Sequence, residues 1–279
     1  MPEAKKRLGV VGFGNMGSSI ALGVRSFFEV CVFDKDKRKL SDKQGLKSEN
    51  LLEDLINNSY AVILAVKPQD FDMLLNEIKP FVKDKLIISI AAGITTGYIE
   101  KALREARVVR AMPNIAVKIS AAETSLAKGR SAKDEDLSFA KELFGLLGKV
   151  WVLKEEMVDA ATAISGSGPA YIYYDMEANN LDALHLPVER KNEYIQRLKQ
   201  AALKVGFDPK MAFDLAICTV ASSIELLVRT GSTALGLRKM ITSAGGTTEA
   251  AVKVLSMNGS WAEAALAARK RAQELSKHE

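Results

Sequence analysis

A short apolar run near the start of the chain, Leu8-Gly9-Val10-Val11, passes directly into Gly12-Phe13-Gly14-Asn15-Met16-Gly17. This G-x-G-x-x-G lies between a strand pattern and a helix pattern that begins near Asn15, the placement that a dinucleotide-binding βαβ unit requires. Gly12 suits the tight turn, Gly14 lets the backbone approach a pyrophosphate, and Gly17 lets the helix pack close to the strand. Phosphates would rest on the unpaired N–H groups of the helix start, where the dipole favours negative charge. The motif constrains the fold and the class of cofactor. It does not set the reaction.

The residues that follow alternate between two periods. Strand-like runs at 7–11, 30–34, 61–66, 86–90 and 108–110 are separated by helical patterns at 16–25, 49–57, 71–79 and 96–105. Continuous apolar strands alternating with helices predict an α/β domain with a parallel sheet covered on both faces. Further strands near 124–127 and 149–153 bracket a helix at 133–147. After residue 155 the strand signal fades and alanine and leucine recur at helical spacing. The boundary is placed near Val158, giving a dinucleotide-binding Rossmann-type domain over 1–158 and an all-helical substrate and dimerisation domain over 159–279. In that second half, helices are expected at 211–229, 247–256 and 260–277. The 211–229 segment is apolar nearly all round, and a helix of that kind needs burial on several sides, which helices of a second subunit can supply. A homo-oligomer is therefore expected.

With 279 residues, 48% of them hydrophobic, the chain can bury the cores of two domains. The net charge is +5, with lysines and arginines scattered, so no nucleic-acid stripe is indicated. Cys31 and Cys218 each sit in an apolar run and read as buried reduced thiols, not as a disulfide or metal site. The first strand begins by about residue 7, which leaves no room for a cleaved signal, and no apolar run reads as long enough to span a bilayer. A soluble cytoplasmic protein without membrane or nucleic-acid partners is the expectation.

Five further strings carry candidate chemistry. Asp34 ends the second strand where an acidic residue accepts from a ribose 2′-OH, favouring NAD, but Lys35, Lys37 and Arg38 follow at once and suit a 2′-phosphate or simply a solvated helix start. Ala65, Val66 and Lys67, with Pro68 and Gln69, close a strand whose carboxyl end faces the ligand crevice, or form an ordinary loop. The run from Arg110 to Asn114 is placed just past a strand end, where Asn114 offers an amide to a nicotinamide or substrate. The run from Ser165 to Tyr171 puts Gly166, Gly168 and Pro169 inside what otherwise reads as one long helix from Met157, at a cost of about 1 kcal/mol per glycine and 3 for proline. Close approach of a ligand or of another helix is the usual reason. Finally, Thr242, Ser243, Ala244, Gly245, Gly246, Thr247 and Thr248 precede a helix, and glycines, hydroxyls and a helix N-terminus together suit a small carboxylate. Capping by Thr247 or Thr248 is the plainer reading. His185 and His278 lie outside all these strings, and no triad or metal-spaced set is present, which excludes triad hydrolysis and metal-assisted chemistry as expectations. Lys67 is the one lysine that can be argued as an acid/base.

Taken together, the strings resemble the pyrroline-5-carboxylate reductase family over nearly the whole chain. The matching segments are 11–17, 65–69, 89–94, 109–114, 165–171 and 242–248. The resemblance implies a Rossmann-type domain followed by a helical domain through which subunits dimerise, with rings of dimers in many members. It implies reduction of L-1-pyrroline-5-carboxylate to L-proline, the last step of proline biosynthesis, by NADPH or alternatively NADH. An iminium is already a good hydride acceptor, which fits a site without histidine. By the resemblance, Thr248 hydrogen-bonds the ring nitrogen, and Ser243 with the backbone of Gly245, Gly246, Thr247 and Thr248 holds the carboxylate. Gly12, Phe13, Gly14, Asn15, Met16 and Gly17, with Asp34, Lys35, Ala65, Val66, Lys67, Ala91, Ala92 and Gly93, bind the cofactor, and Asn114 lies near its nicotinamide half. The chain departs from the family pattern at Ala244, at Ile115-Ala116, and in an extra polar stretch, residues 179–197, with a short helix expected at 189–197. Those departures leave a six-membered cyclic imine, or a non-catalytic cofactor-binding role, as alternative readings.

Overall fold

The computed structural model describes residues 5–41 and 44–276. They divide into two compact units. One comprises the described residues up to Pro113 together with Thr124–Glu155, and the other comprises Asn114–Glu123 with the described residues from Glu156 onward. Lys277 and His278, named in the sequence reading, lie outside the described residues, as do 1–4, 42–43 and 279.

The first unit is built on an eight-stranded sheet: β1 (Arg7–Val11), β2 (Glu29–Phe33), β3 (Lys47–Ser48), β4 (Ala61–Leu64), β5 (Leu86–Ser89), β6 (Arg107–Pro113), β7 (Ala122–Lys128) and β8 (Gly148–Val152). Their spatial order is β3-β2-β1-β4-β5-β6-β7-β8. Strands β1 to β6 pair in parallel through helices α1 (Asn15–Val24), α2 (Leu52–Asn57), α3 (Phe71–Ile78) and α4 (Thr96–Ala102). One face of the sheet, through Val11, Val62, Leu64, Ile87 and Val108, packs against Leu55, Phe71, Leu75, Ile78 and Ile99 of α2, α3 and α4. The alternate strand residues Val10, Ile63, Ile88 and Val109 are fully buried as well, so the opposite face is also covered. Continuous apolar strands are the consequence of that double cover.

Three features differ from the expectation. The sheet is mixed, because β7 runs antiparallel to β6. The link between them is a single 3-10 segment, Ile115–Ile119, and a parallel return needs a crossover of about a dozen residues or more. The strand β6 also runs on to Pro113, so Arg110 to Pro113 lie within it and only Asn114 stands past its end. The two-residue edge strand β3 has no sequence signal of its own; it forms by pairing with Cys31 and Val32 of β2. Helix α5 (Asp134–Gly145) completes the unit, with Phe139 meeting Phe28 and Tyr60 edge-on.

The second unit is helical: α6 (Glu155–Ala161), α7 (Gly168–Ala178), α8 (Val188–Lys204), α9 (Pro209–Thr230), α10 (Ala234–Ile241), α11 (Thr247–Ser256) and α12 (Trp261–Ser276). Between α6 and α7 the chain makes a π-helical turn, Thr162–Gly166. The short helix expected at 189–197 is instead the first half of α8, which continues unbroken to Lys204. By length and composition α9 is apolar enough to cross a membrane, contrary to the sequence expectation. Its Ala212, Leu215, Ala216, Val220, Leu226 and Leu227 are packed inside the unit, while Phe213, Ile217 and Val228 remain exposed. Neither cysteine forms a disulfide among the described residues; Cys31 is buried, but Cys218 is only partly so.

Candidate active site

The order of the strands reverses at β1, with β2 on one side and β4 on the other, and the carboxyl ends of these strands open into a cleft of about 270 Å³. Such a switch point is where open α/β sheets bind ligands. Gly12, Gly14, Asp34, Lys35, Ala65, Val66 and Lys67 all line it, as do Lys39, Met73 and Glu77, which sequence reading did not single out. The three motif glycines meet different surroundings. Gly12 has φ +98°, and a Cβ there would lie 2.6 Å from the Ala65 carbonyl oxygen. At Gly17 a Cβ would lie 2.0 Å from the Gly12 carbonyl oxygen, so helix and turn touch backbone to backbone. A Cβ at Gly14 would meet nothing within 4 Å. Gly14 is also the N-cap of α1 and offers no side-chain cap, which leaves the first-turn amides of α1 without a side-chain partner. Free space in front of uncapped amides fits a pyrophosphate group. Phe13, Asn15, Met16 and Gly17 form the turn and helix start behind this face without lining the cleft.

Asp34 is committed to the turn itself. One carboxylate oxygen accepts from the Phe13 N–H (2.8 Å), and the other accepts from the Asp36 N–H (2.9 Å). The Lys39 ammonium donates to both (3.3 and 3.1 Å), and Asp34 is 5% exposed. The basic residues after it are also placed. Lys35 pairs with Asp70 at 3.0 Å, and Lys37 sits 4.5 Å over the Phe33 ring. The Arg38 guanidinium forks onto Asp36 (2.8 and 2.9 Å) and holds that carboxyl down at about 2. Pro68 opens a 3-10 turn leading into α3, where its missing N–H costs nothing. Ala91, Ala92 and Gly93 turn at the end of β5, with Gly93 at φ +77°, beyond the lining of the cleft.

Asn114 belongs to the helical unit. Its Oδ1 accepts from the N–H groups of Ala116 (3.2 Å) and Glu123 (3.1 Å), and its Nδ2 donates to the Ser165 carbonyl (3.2 Å). Three of the amide's four bonding positions are thus used within the unit. The Ser165 carbonyl is available because the π-helical turn breaks the regular hydrogen-bond ladder. The Tyr171 hydroxyl donates to the Ala163 carbonyl of the same turn at 2.7 Å. Burial holds that phenol far above its ordinary pKa, so it remains a donor. The glycines of this motif serve packing unequally. A Cβ at Gly168 would lie 3.2 Å from Leu198 and 3.4 Å from Thr219, whereas one at Gly166 would meet only Thr162 at ordinary contact.

The π-helical turn delivers Ser167 to the Thr242–Thr248 loop. The Ser167 hydroxyl is hydrogen-bonded to the hydroxyls of both Thr247 (3.2 Å) and Thr248 (3.1 Å), and all three residues are buried. Neither threonine caps α11. The N-cap is Gly246, again without a side-chain cap, so the amides of the first turn have no side-chain partner. The loop before it is held in shape by its neighbours. Gly245 has φ +68°, its N–H donates to Glu249 (2.8 Å), and its carbonyl accepts from Arg271 (2.7 Å). The Gly246 N–H donates to the Ser243 carbonyl at 3.0 Å, and a Cβ on Gly246 would lie 2.3 Å from the Ser243 hydroxyl. Hydroxyls and uncapped first-turn amides suit a small acid with a polar ring atom, and the first-turn carboxylate of Glu249 is engaged by the Gly245 N–H. Ser167, Glu249 and Arg271 were not read as site residues. The i, i+4 spacing of Gly245 and Glu249 is a sequence signal for one of them, and Ser167 lies within the glycine and proline break at 165–171, but no local pattern marks Arg271. Among the described residues no group of three or more His, Cys, Asp or Glu could hold a metal ion.

Comparison with known proteins places both halves. A family model for pyrroline-5-carboxylate reductase dimerisation matches residues 192–275, and one for NADP oxidoreductase, coenzyme F420-dependent, matches 7–93. A pyrroline-5-carboxylate reductase of Methanosarcina acetivorans is 33% identical over 98% of this chain and 98% of its own length. Pyrroline-5-carboxylate reductase 2 of Bacillus subtilis is 31% identical over 90% of this chain and 87% of its own. The solved pyrroline-5-carboxylate reductase of Coxiella burnetii superposes with a TM-score of 0.66 at 31% identity, covering 98% of this chain and 99% of that one. The Plasmodium falciparum pyrroline carboxylate reductase, solved with NADP bound, gives a TM-score of 0.63 at 26% identity, covering 99% of both chains.

Proposed function

The chain belongs to the pyrroline-5-carboxylate reductase family, and from that premise we propose which of its residues carry the reaction. It is an NAD(P)H-dependent reductase that converts pyrroline-5-carboxylate to proline, and its helical unit is a dimerisation domain. The nicotinamide, when bound, supplies the hydride. The protein's work is to hold the two reactants, since a protonated imine needs no added acid to become an acceptor.

In this reading Gly12 to Gly17, with Ala65, Val66 and Lys67, hold the pyrophosphate and adjoining ribose, and the Ala91–Gly93 turn borders the same ligand. Gly14 is the position that most supports it, because its side-chain space is empty while its neighbours are in contact. Lys35 and Lys39 take a 2′-phosphate, so NADPH is preferred over NADH. Support comes from Asp34, both of whose carboxylate oxygens are already accepting bonds from Phe13, Asp36 and Lys39. In the second unit the first-turn amides of α11 and the Ser243 hydroxyl hold the substrate carboxylate. The Thr248 hydroxyl, fixed by Ser167, accepts the N–H of the iminium. Asn114 acts at one remove, by pinning the π-helical turn that carries Ser167. The observation that carries the assignment is the Ser167–Thr248 contact beside the uncapped start of α11. Its test is Thr248→Ala beside Thr248→Ser. The alanine variant loses at least tenfold in kcat, about 1.4 kcal/mol, with an unchanged NADPH Kd, and serine restores most of it. Full activity in the alanine variant would end the proposal.

The exposed Phe213, Ile217 and Val228 of α9 and Leu266 of α12 support a dimer face on these helices. A ring of such dimers follows if a second face associates, which a light-scattering mass decides. A cytoplasmic setting, without nucleic-acid or membrane partners, is supported by two cysteines held as thiols and by scattered basic residues.

A further inference from the structure

Residues 179–197, which join α7 to the second half of α8, change the direction of the chain. Helix α7 runs from Gly168 to Ala178. After a turn, α8 comes back across the beginning of α7. Tyr194 and Arg197 donate to Asp175 (2.8 and 3.0 Å), and a Cβ on Gly168 would lie 3.2 Å from Leu198. The return is locked by an aromatic cluster drawn from three helices. The Trp261 ring of α12 stacks on Tyr194 (5.5 Å), meets Tyr171 edge-on (6.0 Å) and lies under the Arg197 guanidinium (4.4 Å). Through this reversal α11 follows α9 and α10 back to the start of α7, where Thr247 and Thr248 meet Ser167.

The same geometry cannot be reached when Ala178 is joined directly to Leu198. Ala178 stands ten residues along α7 from Gly168, about 15 Å at the rise of a helix. Leu198 packs beside Gly168, yet joining it directly to Ala178 would require their Cα atoms to be 3.8 Å apart. With 179–197 removed, α7 and the remainder of α8 would continue as one helix. Leu198 and everything after it would be carried away from their present neighbours.

We propose that residues 179–197 are a reversal that lets a single chain bring its own Thr247 and Thr248 to its own Ser167, and that shortening the segment makes two copies exchange all that follows α7. Exchange of identical elements is the low-cost outcome when a hinge becomes too short to fold back, because the contacts outside the removed stretch are kept and only the chain that supplies them changes, while those of Tyr194 and Arg197 are lost with it. The segment then determines whether the hydroxyl cluster is built within one chain or between two. Dimerisation through the exposed face of α9 is compatible with either.

The test reads the path of the chain and not turnover, so it stands or falls separately from the residue roles proposed above. The Ser167 and Thr247 hydroxyls are 3.2 Å apart, close enough for a disulfide between cysteines at these positions. The full chain carrying Ser167→Cys and Thr247→Cys is oxidised and run on a non-reducing denaturing gel. The parent chain and each single variant serve as controls for the native thiols of Cys31 and Cys218. The expected product is an internally crosslinked monomer. The same pair in a chain lacking 179–197 is expected to give a covalent dimer. A covalent dimer from the full chain, or no crosslink at all, overturns the proposal. An internally crosslinked monomer from the shortened chain, or its failure to yield a folded dimer, overturns the claim of exchange, while the full-chain result still decides how the cluster is built.

Discussion

At the scale of single residues, Gly14 and Gly17 are small for opposite reasons, and substitution separates them. Gly17→Ala drives a methyl into the Gly12 carbonyl and is expected to lower stability by about 1–3 kcal/mol, read as a fall in Tm. Gly14→Ala meets only open space, so its Tm should stay near that of the parent while its NADPH affinity falls at least tenfold. Lys39→Gln should raise the KM for NADPH more than that for NADH, since Lys39 lines the cleft and only NADPH carries the 2′-phosphate proposed to meet its charge. Cys31 makes a prediction about pH. Burial first, and then the nearby Glu49 carboxylate, push its thiol up from 9.0 to about 11. The unfolded chain loses this proton first, so Cys31 contributes full stability below about pH 9. That contribution falls as the pH rises to about 11, by on the order of 2 kcal/mol. Denaturation of Cys31→Ala across this range should show a shallower decline than the parent.

At the scale of elements, the glycine turn and the threonine loop share one device, a helix whose N-cap is glycine and whose first amides have no side-chain cap. Both were legible, because glycines at a strand-to-helix junction and hydroxyls before a helix are local patterns. The hydroxyl that joins the loop to α7 was not. Ser167 reaches Thr247 and Thr248 because the chain makes a π-helical turn; the sequence marks the break at Gly166, Gly168 and Pro169 and gives close approach of a ligand or helix as its reason, but not the serine that uses it. Ser167→Ala is expected to lower kcat about fivefold, the value of roughly 1 kcal/mol for one hydrogen bond, with NADPH binding unchanged. The strands were legible from apolar runs buried on both faces. The edge strand β3 was not, since two residues carry no period, and neither was the antiparallel sense of β7, which is set by the length of the 3-10 link before it. Asp34 shows the same limit. Its position after β2 suggested a ribose contact, but its bonds run to Phe13, Asp36 and Lys39.

At the scale of the whole molecule, composition pointed to two domains and an oligomer. It gave no sign that α8 folds back, because reversal depends on where Tyr194, Arg197 and Trp261 meet in space. The sequence read α9 as a helix needing burial on several sides, and half of its apolar window is buried, although its length and composition would also suit a bilayer. The proposed reaction needs two ligand cradles, each an uncapped helix start, one in each unit. Amide hydrogen exchange followed by mass spectrometry tests them together. NADPH alone should slow exchange in peptides covering Gly12 to Gly17, and proline added with it should slow exchange at Gly246, Thr247 and Thr248. Protection by proline elsewhere, with the start of α11 exchanging as freely as before, would contradict the account.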